Sequence, residues 1–167
     1  MERWQAIDAA APAEAARLLE ACCGSRRWVE RMLARRPFGS REAALAAARA
    51  EWLALGPGDW REAFGHHPEI GDREALRRRF ALSGHLSERE QAGVDGAAED
   101  VLAALAEGNR RYRERFGFIF IVCATGRSAA EMLALLRSRL SNDPEAEVRV
   151  AAEEQAKITA LRLLAPA

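Results

Sequence analysis

No stretch of this chain reaches the roughly 18 consecutive apolar residues that a membrane-crossing helix needs. The opening Met1-Glu2-Arg3-Trp4 starts no signal-peptide run, and Leu164-Ala165-Pro166-Ala167 is not a Ser-Lys-Leu address. A surplus of one charge is missing too: 25 basic residues, Lys157 the single lysine among them, balance 25 acidic ones. No net field therefore draws the chain to nucleic acid or to an anionic membrane. Cysteine is scarce. Cys22, Cys23 and Cys123 make an odd count without framework spacing, and the adjacent pair very rarely bridges, so the expectation is a reduced, intracellular protein. Heavy use of Ala and Arg suggests a GC-rich bacterial genome, which makes the bacterial cytoplasm the expected location. Whole reaction classes lose their signatures as well. There is no Gly-x-Ser-x-Gly elbow, no Walker or Rossmann glycine loop and no His-Glu-x-x-His, while Cys123 lies in an apolar run that keeps a thiol protonated.

What is present is globular: 49% hydrophobic and 30% charged residues over 167 positions, enough for one core and short for two. The expectation is a single domain over 1–167. Short helices fill most of it, separated by Gly, Pro and Ser. Pro12 opens one running to about Cys22, with Leu18, Leu19 and Cys22 on a face. Ser25 caps the next, striped by Trp28, Val29, Met32 and Leu33, until Pro37 stops it. Ser40 caps a third, striped by Leu45, Ala48, Trp52 and Leu55, until Gly56-Pro57-Gly58. Shorter helices are expected at Asp59–Phe64 and Glu74–Phe80. A long helical region follows Ser87, bent near Gly93 and Gly96, with Val101, Leu102, Leu105 and Tyr112 facing inward. Ser128–Leu140 and Asp143–Leu164 are the clearest helices, the latter with Glu153 and Lys157 as an i, i+4 pair. Arg77-Arg78-Arg79 and Arg110-Arg111-Tyr112-Arg113 read as solvated helix faces. Phe116–Ala124 has the content of a buried strand but no second strand to pair with, so it is expected to be a buried extended piece. Its main-chain groups are then available to a ligand, unless the run is simply core.

The titratable chemistry concentrates in Phe64-Gly65-His66-His67-Pro68-Glu69-Ile70-Gly71-Asp72. His67-Pro68-Glu69 supplies half of a zinc-deaminase signature, but no Pro-Cys-x-x-Cys follows it. Adjacent His66 and His67 are awkward ligands for one ion, and a site would need His85 and Glu90 to converge on them. No metal site is expected. Two readings of the histidines stay open: a turn pinned by Pro68, or acid–base chemistry by an imidazole that a carboxylate orients. Ser87-x-x-Glu90 is likewise a helix capping box on its own terms.

Read together and in order, three phrases carry a resemblance. They are His67-Pro68-x-Ile70-Gly71, then Ser87-x-x-Glu90-Gln91-Ala92-Gly93, then Arg115-Phe116-Gly117-Phe118-x-Phe120-Ile121-x-Cys123-Ala124 with Gly126-Arg127 behind. The chain resembles the 2-oxo-4-hydroxy-4-carboxy-5-ureidoimidazoline (OHCU) decarboxylase family. Cys22-Cys23-Gly24-Ser25, Trp28, Met32, Arg36-Pro37-Phe38 and the stretch from Glu154 to Leu163 are similar to it as well. The resemblance implies an all-α fold, a homodimer, no cofactor, and conversion of OHCU to (S)-allantoin in uric acid breakdown beside urate oxidase and hydroxyisourate hydrolase. It implies His67 as catalytic hydrogen-bond and proton donor, with Glu90 orienting imidazole or substrate. It also implies Pro68, Ser87, Gln91, the main chain of Phe120, Ile121, Val122, Cys123 and Ala124, and Arg162 around the substrate. Two other readings compete: a decarboxylase or tautomerase acting on another small cyclic ureide, and a non-catalytic helical dimer that binds a partner through a surface bearing Trp28 and Trp52.

Overall fold

The computed structural model describes residues 1–68 and 88–167, with side chains in the second stretch described from residue 98 onward. Among the described residues the protein is all-α, with eight helices and no strand: α1 (Arg3–Ala9), α2 (Pro12–Cys22), α3 (Arg26–Ala34), α4 (Arg41–Leu53), α5 (Pro57–Gly65), α6 (Glu88–Phe116), α7 (Ala129–Arg139) and α8 (Pro144–Leu164). The region expected as a helix at Glu74–Phe80 lies outside the described residues.

Local chemistry explains most of these boundaries. Pro12, Pro57 and Pro144 open their helices, where a missing N–H costs nothing. Ser25, Ser40 and Ser128 each accept the N–H of the residue three further on, at 3.3, 3.1 and 3.1 Å. The Asp143 carboxylate accepts the N–H groups of Glu145 and Ala146, two and three residues on, at 3.1 and 3.4 Å. Helix α5 starts two residues before the expected Asp59, because Pro57 fits the first turn.

Helix α1 is not among the expected elements. Glu2 donates its N–H to Gln5 at 2.8 Å, a cap without Ser or Thr, and Arg3 donates its N–H to Ala165 at 2.9 Å. The stripes are also narrower than expected. Helix α4 buries Ala44, Ala48, Glu51 and Trp52, and Leu45 is only half-buried. Lys157 pairs with Glu154 at 2.5 Å rather than with Glu153, whose carboxylate meets Arg49 at 2.9 Å instead.

By its contacts the chain divides into two compact units. One comprises Met1–His67, Ile121–Cys123 and Val148–Ala167; the other comprises Pro68–Phe120 and Ala124–Glu147. In the first unit, three indoles stitch helix to helix. Trp28 donates to the carbonyl of Ala48 at 3.0 Å, Trp60 to that of Trp52 at 3.0 Å, and Trp52 to that of Ala152 at 2.8 Å. Each buries a large apolar ring and still satisfies its polar N–H. Trp28 and Trp52 are 0% and 1% exposed, so no surface carries them, and the partner-binding reading loses its basis. Arg36, in the Arg-Pro-Phe phrase, donates to the carbonyls of Asp8 and Ala10 at 3.1 and 2.5 Å. The Asp8 carboxylate in turn accepts the Phe38 N–H at 3.0 Å. That phrase therefore closes off the end of α1.

In the second unit, α6 presents Leu102, Leu105, Tyr112 and Phe116 to the core, with Val101 half-buried. Arg110, Arg111 and Arg113 face solvent, and Arg110 pairs with Glu107 and Glu114 at 2.6 and 2.5 Å. Gly117 follows α6 with φ +78°, a left-handed conformation that ends the helix without Cβ strain. From there to Ser128 the chain is irregular, as expected for the run without a strand partner. Phe118 and Ile121 are buried, whereas Ile119, Phe120, Val122, Cys123 and Ala124 are only half-buried. The run is partly, not wholly, core.

Candidate functional site

The site builds up from the end of α5. Trp60, Ala63 and Phe64 anchor this helix in the core, and its last turn continues beyond Gly65. The His66 N–H donates to Ala63 at 3.1 Å and the His67 N–H to Phe64 at 3.2 Å. The turn reading of the histidine segment holds, and the turn aims the His67 imidazole at an amide, Gln155, where the acid–base reading expected a carboxylate. His66 lies against Gly24, where even an added methyl carbon would come within 2.3 Å of the ring, so the Cys22-Cys23-Gly24-Ser25 phrase needs its glycine for this contact.

His67 points at α8. Its Nε2 is hydrogen-bonded to Oε1 of Gln155. Gln155 donates through Nε2 to the Thr159 hydroxyl at 3.1 Å, and that hydroxyl reaches the carbonyl of Cys22 at 3.5 Å. Gln155 and Thr159 are 0% and 2% exposed, so the amide and hydroxyl have exchanged water for one another. Burial lowers the His67 pKa below the ordinary histidine value; the Gln155 bond opposes that, and the charges of Arg162 and His66 add to it. Its surroundings therefore favour the uncharged ring.

Arg162 stands one turn beyond Thr159 and donates to the Cys22 carbonyl at 3.1 Å. It borders a cavity of about 600 Å³ together with Arg3, Arg17, Glu20, Gly24 and His66. Burial pushes the thiol of Cys23 up to about 12 and raises that of Cys22, so neither serves as a nucleophile. Among the described residues no three His, Cys, Asp or Glu side chains gather to hold one ion.

The remaining expected residues divide. In the first unit, the Cys123 N–H donates to the Glu154 carboxylate at 2.8 Å, so this main-chain group is already engaged by a side chain. Ile121 is buried, and Val122 is half-buried. In the second unit, Phe120 meets the Tyr112 ring edge-on at 5.3 Å between centroids, and the Arg139 guanidinium lies 4.6 Å above it. Pro68 is exposed, and Ala124 is half-buried. Glu90 and Gln91 are on α6, which starts at the residue after Ser87, where the capping-box reading puts a helix start. Ser87 itself and the side chains of Glu90 and Gln91 lie outside the described residues.

Gln155, Thr159 and Glu154 are the residues that sequence reasoning missed. A signal existed. The buried face of α8 reads Val148, Ala151, Ala152, Gln155, Thr159 and Leu163, so two polar residues interrupt an apolar stripe at helical spacing.

The comparisons with known proteins identify the family. The model of the OHCU decarboxylase family matches residues 8–164. The chain is 41% identical over 144 residues to the uric acid degradation bifunctional protein TTL of Arabidopsis thaliana, covering 85% of this chain and 44% of that protein. It is 37% identical over 97 residues to the 2-oxo-4-hydroxy-4-carboxy-5-ureidoimidazoline decarboxylase of Amia calva, covering 58% of this chain and 55% of the other. The chain thus spans about half the length of these relatives. A crystal structure of OHCU decarboxylase in the presence of (S)-allantoin is similar with TM-score 0.68 and 38% identity, covering 86% of this chain and 92% of that one. A crystal structure of (S)-allantoin synthase, 23% identical with TM-score 0.67 over 96% and 52% of the two chains, shares the fold. With a family match running through nearly all of its length, the chain belongs to the OHCU decarboxylase family.

Proposed function

We propose that this chain decarboxylates OHCU to (S)-allantoin in uric acid degradation, with His67 carrying the acid–base chemistry. The observation that carries the reading is the placement of His67: a half-buried imidazole fixed at one nitrogen by the fully buried amide of Gln155, which shares its helix with Arg162. A relative of 38% identity crystallised in the presence of (S)-allantoin supports it, as does the family match.

The chemistry needs little more than positioned polar groups. The bond to the carboxylate breaks, its electron pair enters the conjugated ring, CO2 leaves, and a proton from solvent neutralises the charge left on the ring. The hydroxyl-bearing carbon then becomes a carbonyl, the hydroxyl gives up its proton, and the neighbouring carbon gains one on a single face. A group that titrates near neutrality suits both proton movements. Glu90 orients imidazole or substrate. Pro68, Ser87, Gln91, Arg162 and the main chain of residues 120–124 complete the site in this proposal, with N–H groups meeting the developing charge. An N–H at a helix start such as that of α6 favours the same polar substrate.

The proposed protein works without metal or organic cofactor, as one domain over 1–167 and as a homodimer in the bacterial cytoplasm. It acts after urate oxidase and hydroxyisourate hydrolase. No helix among the described residues is long and apolar enough to cross a membrane. The test starts from urate with those two enzymes and follows the chirality of allantoin by circular dichroism. Added protein is expected to speed formation of the (S) form. An unchanged rate and handedness would sink the proposal, and turnover of a different cyclic ureide in a substrate panel would replace it with the related-ureide reading.

A further inference from the structure

The bonds behind His67 have a direction, and that direction can be read from their far end. The Cys22 carbonyl only accepts hydrogen bonds. The Thr159 hydroxyl at 3.5 Å therefore gives its single proton to Cys22 and is left as an acceptor for Gln155. The Gln155 Nε2 supplies that bond at 3.1 Å, so the Oε1 end of the amide faces the imidazole. An amide oxygen accepts and never donates, so Nε2 of His67 must carry a proton. The Cys23 thiol, also beside Thr159, does not compete as a strong acceptor, because burial keeps it protonated.

We infer that Gln155 and Thr159 are positioning residues that lock His67 in its Nε2–H tautomer, leaving Nδ1 as a lone-pair acceptor for the substrate. Nδ1 makes no hydrogen bond among the described residues. The inference rests on the decarboxylase reading for its substrate and reverses the sense expected from sequence: at rest, His67 offers the substrate a base, not an acid. In the step this allows, the substrate O–H bond breaks and its proton forms the Nδ1–H bond. The oxygen's electron pair closes the carbonyl, and the enol carbon–carbon pair takes the proton at the neighbouring carbon from the Nδ1–H so formed. The imidazolium so formed is disfavoured by burial and by Arg162, and it readily gives its proton up again.

The test reads the tautomer without substrate, so it fails or succeeds independently of the decarboxylase reading. Long-range proton–nitrogen NMR of 15N-histidine protein at pH 7.5 identifies the protonated ring nitrogen, with His67→Ala locating the signal. Wild type is expected to show protonated Nε2 and unprotonated Nδ1. Thr159→Val, nearly isosteric, removes the acceptor that orients the amide and is expected to populate Nδ1–H. It should lower kcat about tenfold, or ~1.4 kcal/mol, with KM nearly unchanged. Thr159→Ser restores both. An Nδ1–H wild type, or a Thr159→Val ring identical to wild type, overturns the inference. A tautomer shift that leaves kcat untouched overturns the catalytic half of it.

Discussion

Two buried polar networks, one in each compact unit, solve the same desolvation problem in opposite ways. In the second unit the network is ionic. Glu147, 0% exposed, accepts from Tyr112 at 2.5 Å, from Arg139 Nε at 2.6 Å and from Asn142 at 2.7 Å. Burial, and next to it the Glu147 carboxylate, raises the Tyr112 pKa, so the phenol remains a donor. Arg139 also reaches the Tyr112 hydroxyl at 3.3 Å and lies over the Phe120 ring. In the first unit the network is uncharged and open: it begins at a main-chain carbonyl and ends on an imidazole with a free nitrogen among the described residues. A buried ion pair such as Arg139–Glu147 suits holding helices together, because each charge meets its opposite. An open neutral chain suits chemistry, because it hands a fixed orientation to the group at its end.

Arg139→Ala should produce the largest break in this contrast. It leaves the Glu147 carboxylate buried without its ion-pair partner and is expected to cost about 3–5 kcal/mol in urea unfolding. Replacing Arg139 and Glu147 together by apolar residues of similar volume should recover much of that. Gln155→Leu breaks the open network and is expected to cost less, about 1–3 kcal/mol, since the groups left unsatisfied are neutral. The smallest effect is the pH dependence of stability. The folded pKa of His67 lies below its unfolded value of about 6.5, so the unfolded chain takes up the proton first. Wild type should therefore lose stability as pH falls from about 6.5 through the lower folded pKa, and no further below it. His67→Asn should lack that component when unfolding free energies are compared across the same range.

Features written in local chemistry were legible in the sequence. Ser25, Ser40, Pro12 and Asp143-Pro144 act within three or four residues of themselves, so their helices could be placed before any tertiary contact was known. Helix α1 was not legible, because its first turn is tied to Ala165 at the other end of the chain. His67 stood out through its motif, but its orientation depends on Gln155, 88 positions away. Nothing in the histidine segment announces that partner. Trp28 and Trp52 differ again: large aromatics look adhesive in a sequence, and here their indole N–H groups are spent on backbone carbonyls inside the first unit. The Glu153–Lys157 pair failed because an i, i+3 neighbour and a distant arginine competed for the same charges.

The most direct measurement compares wild type and His67→Ala in the urate-coupled assay, under conditions where both give the same helical circular dichroism. Wild type should form (S)-allantoin rapidly. His67→Ala should slow the enzymatic step by about 10²–10⁴-fold, the usual contribution of a positioned acid–base group, and let product handedness fall to that of the uncatalysed reaction. A folded His67→Ala variant that still makes (S)-allantoin at the wild-type rate would contradict the account.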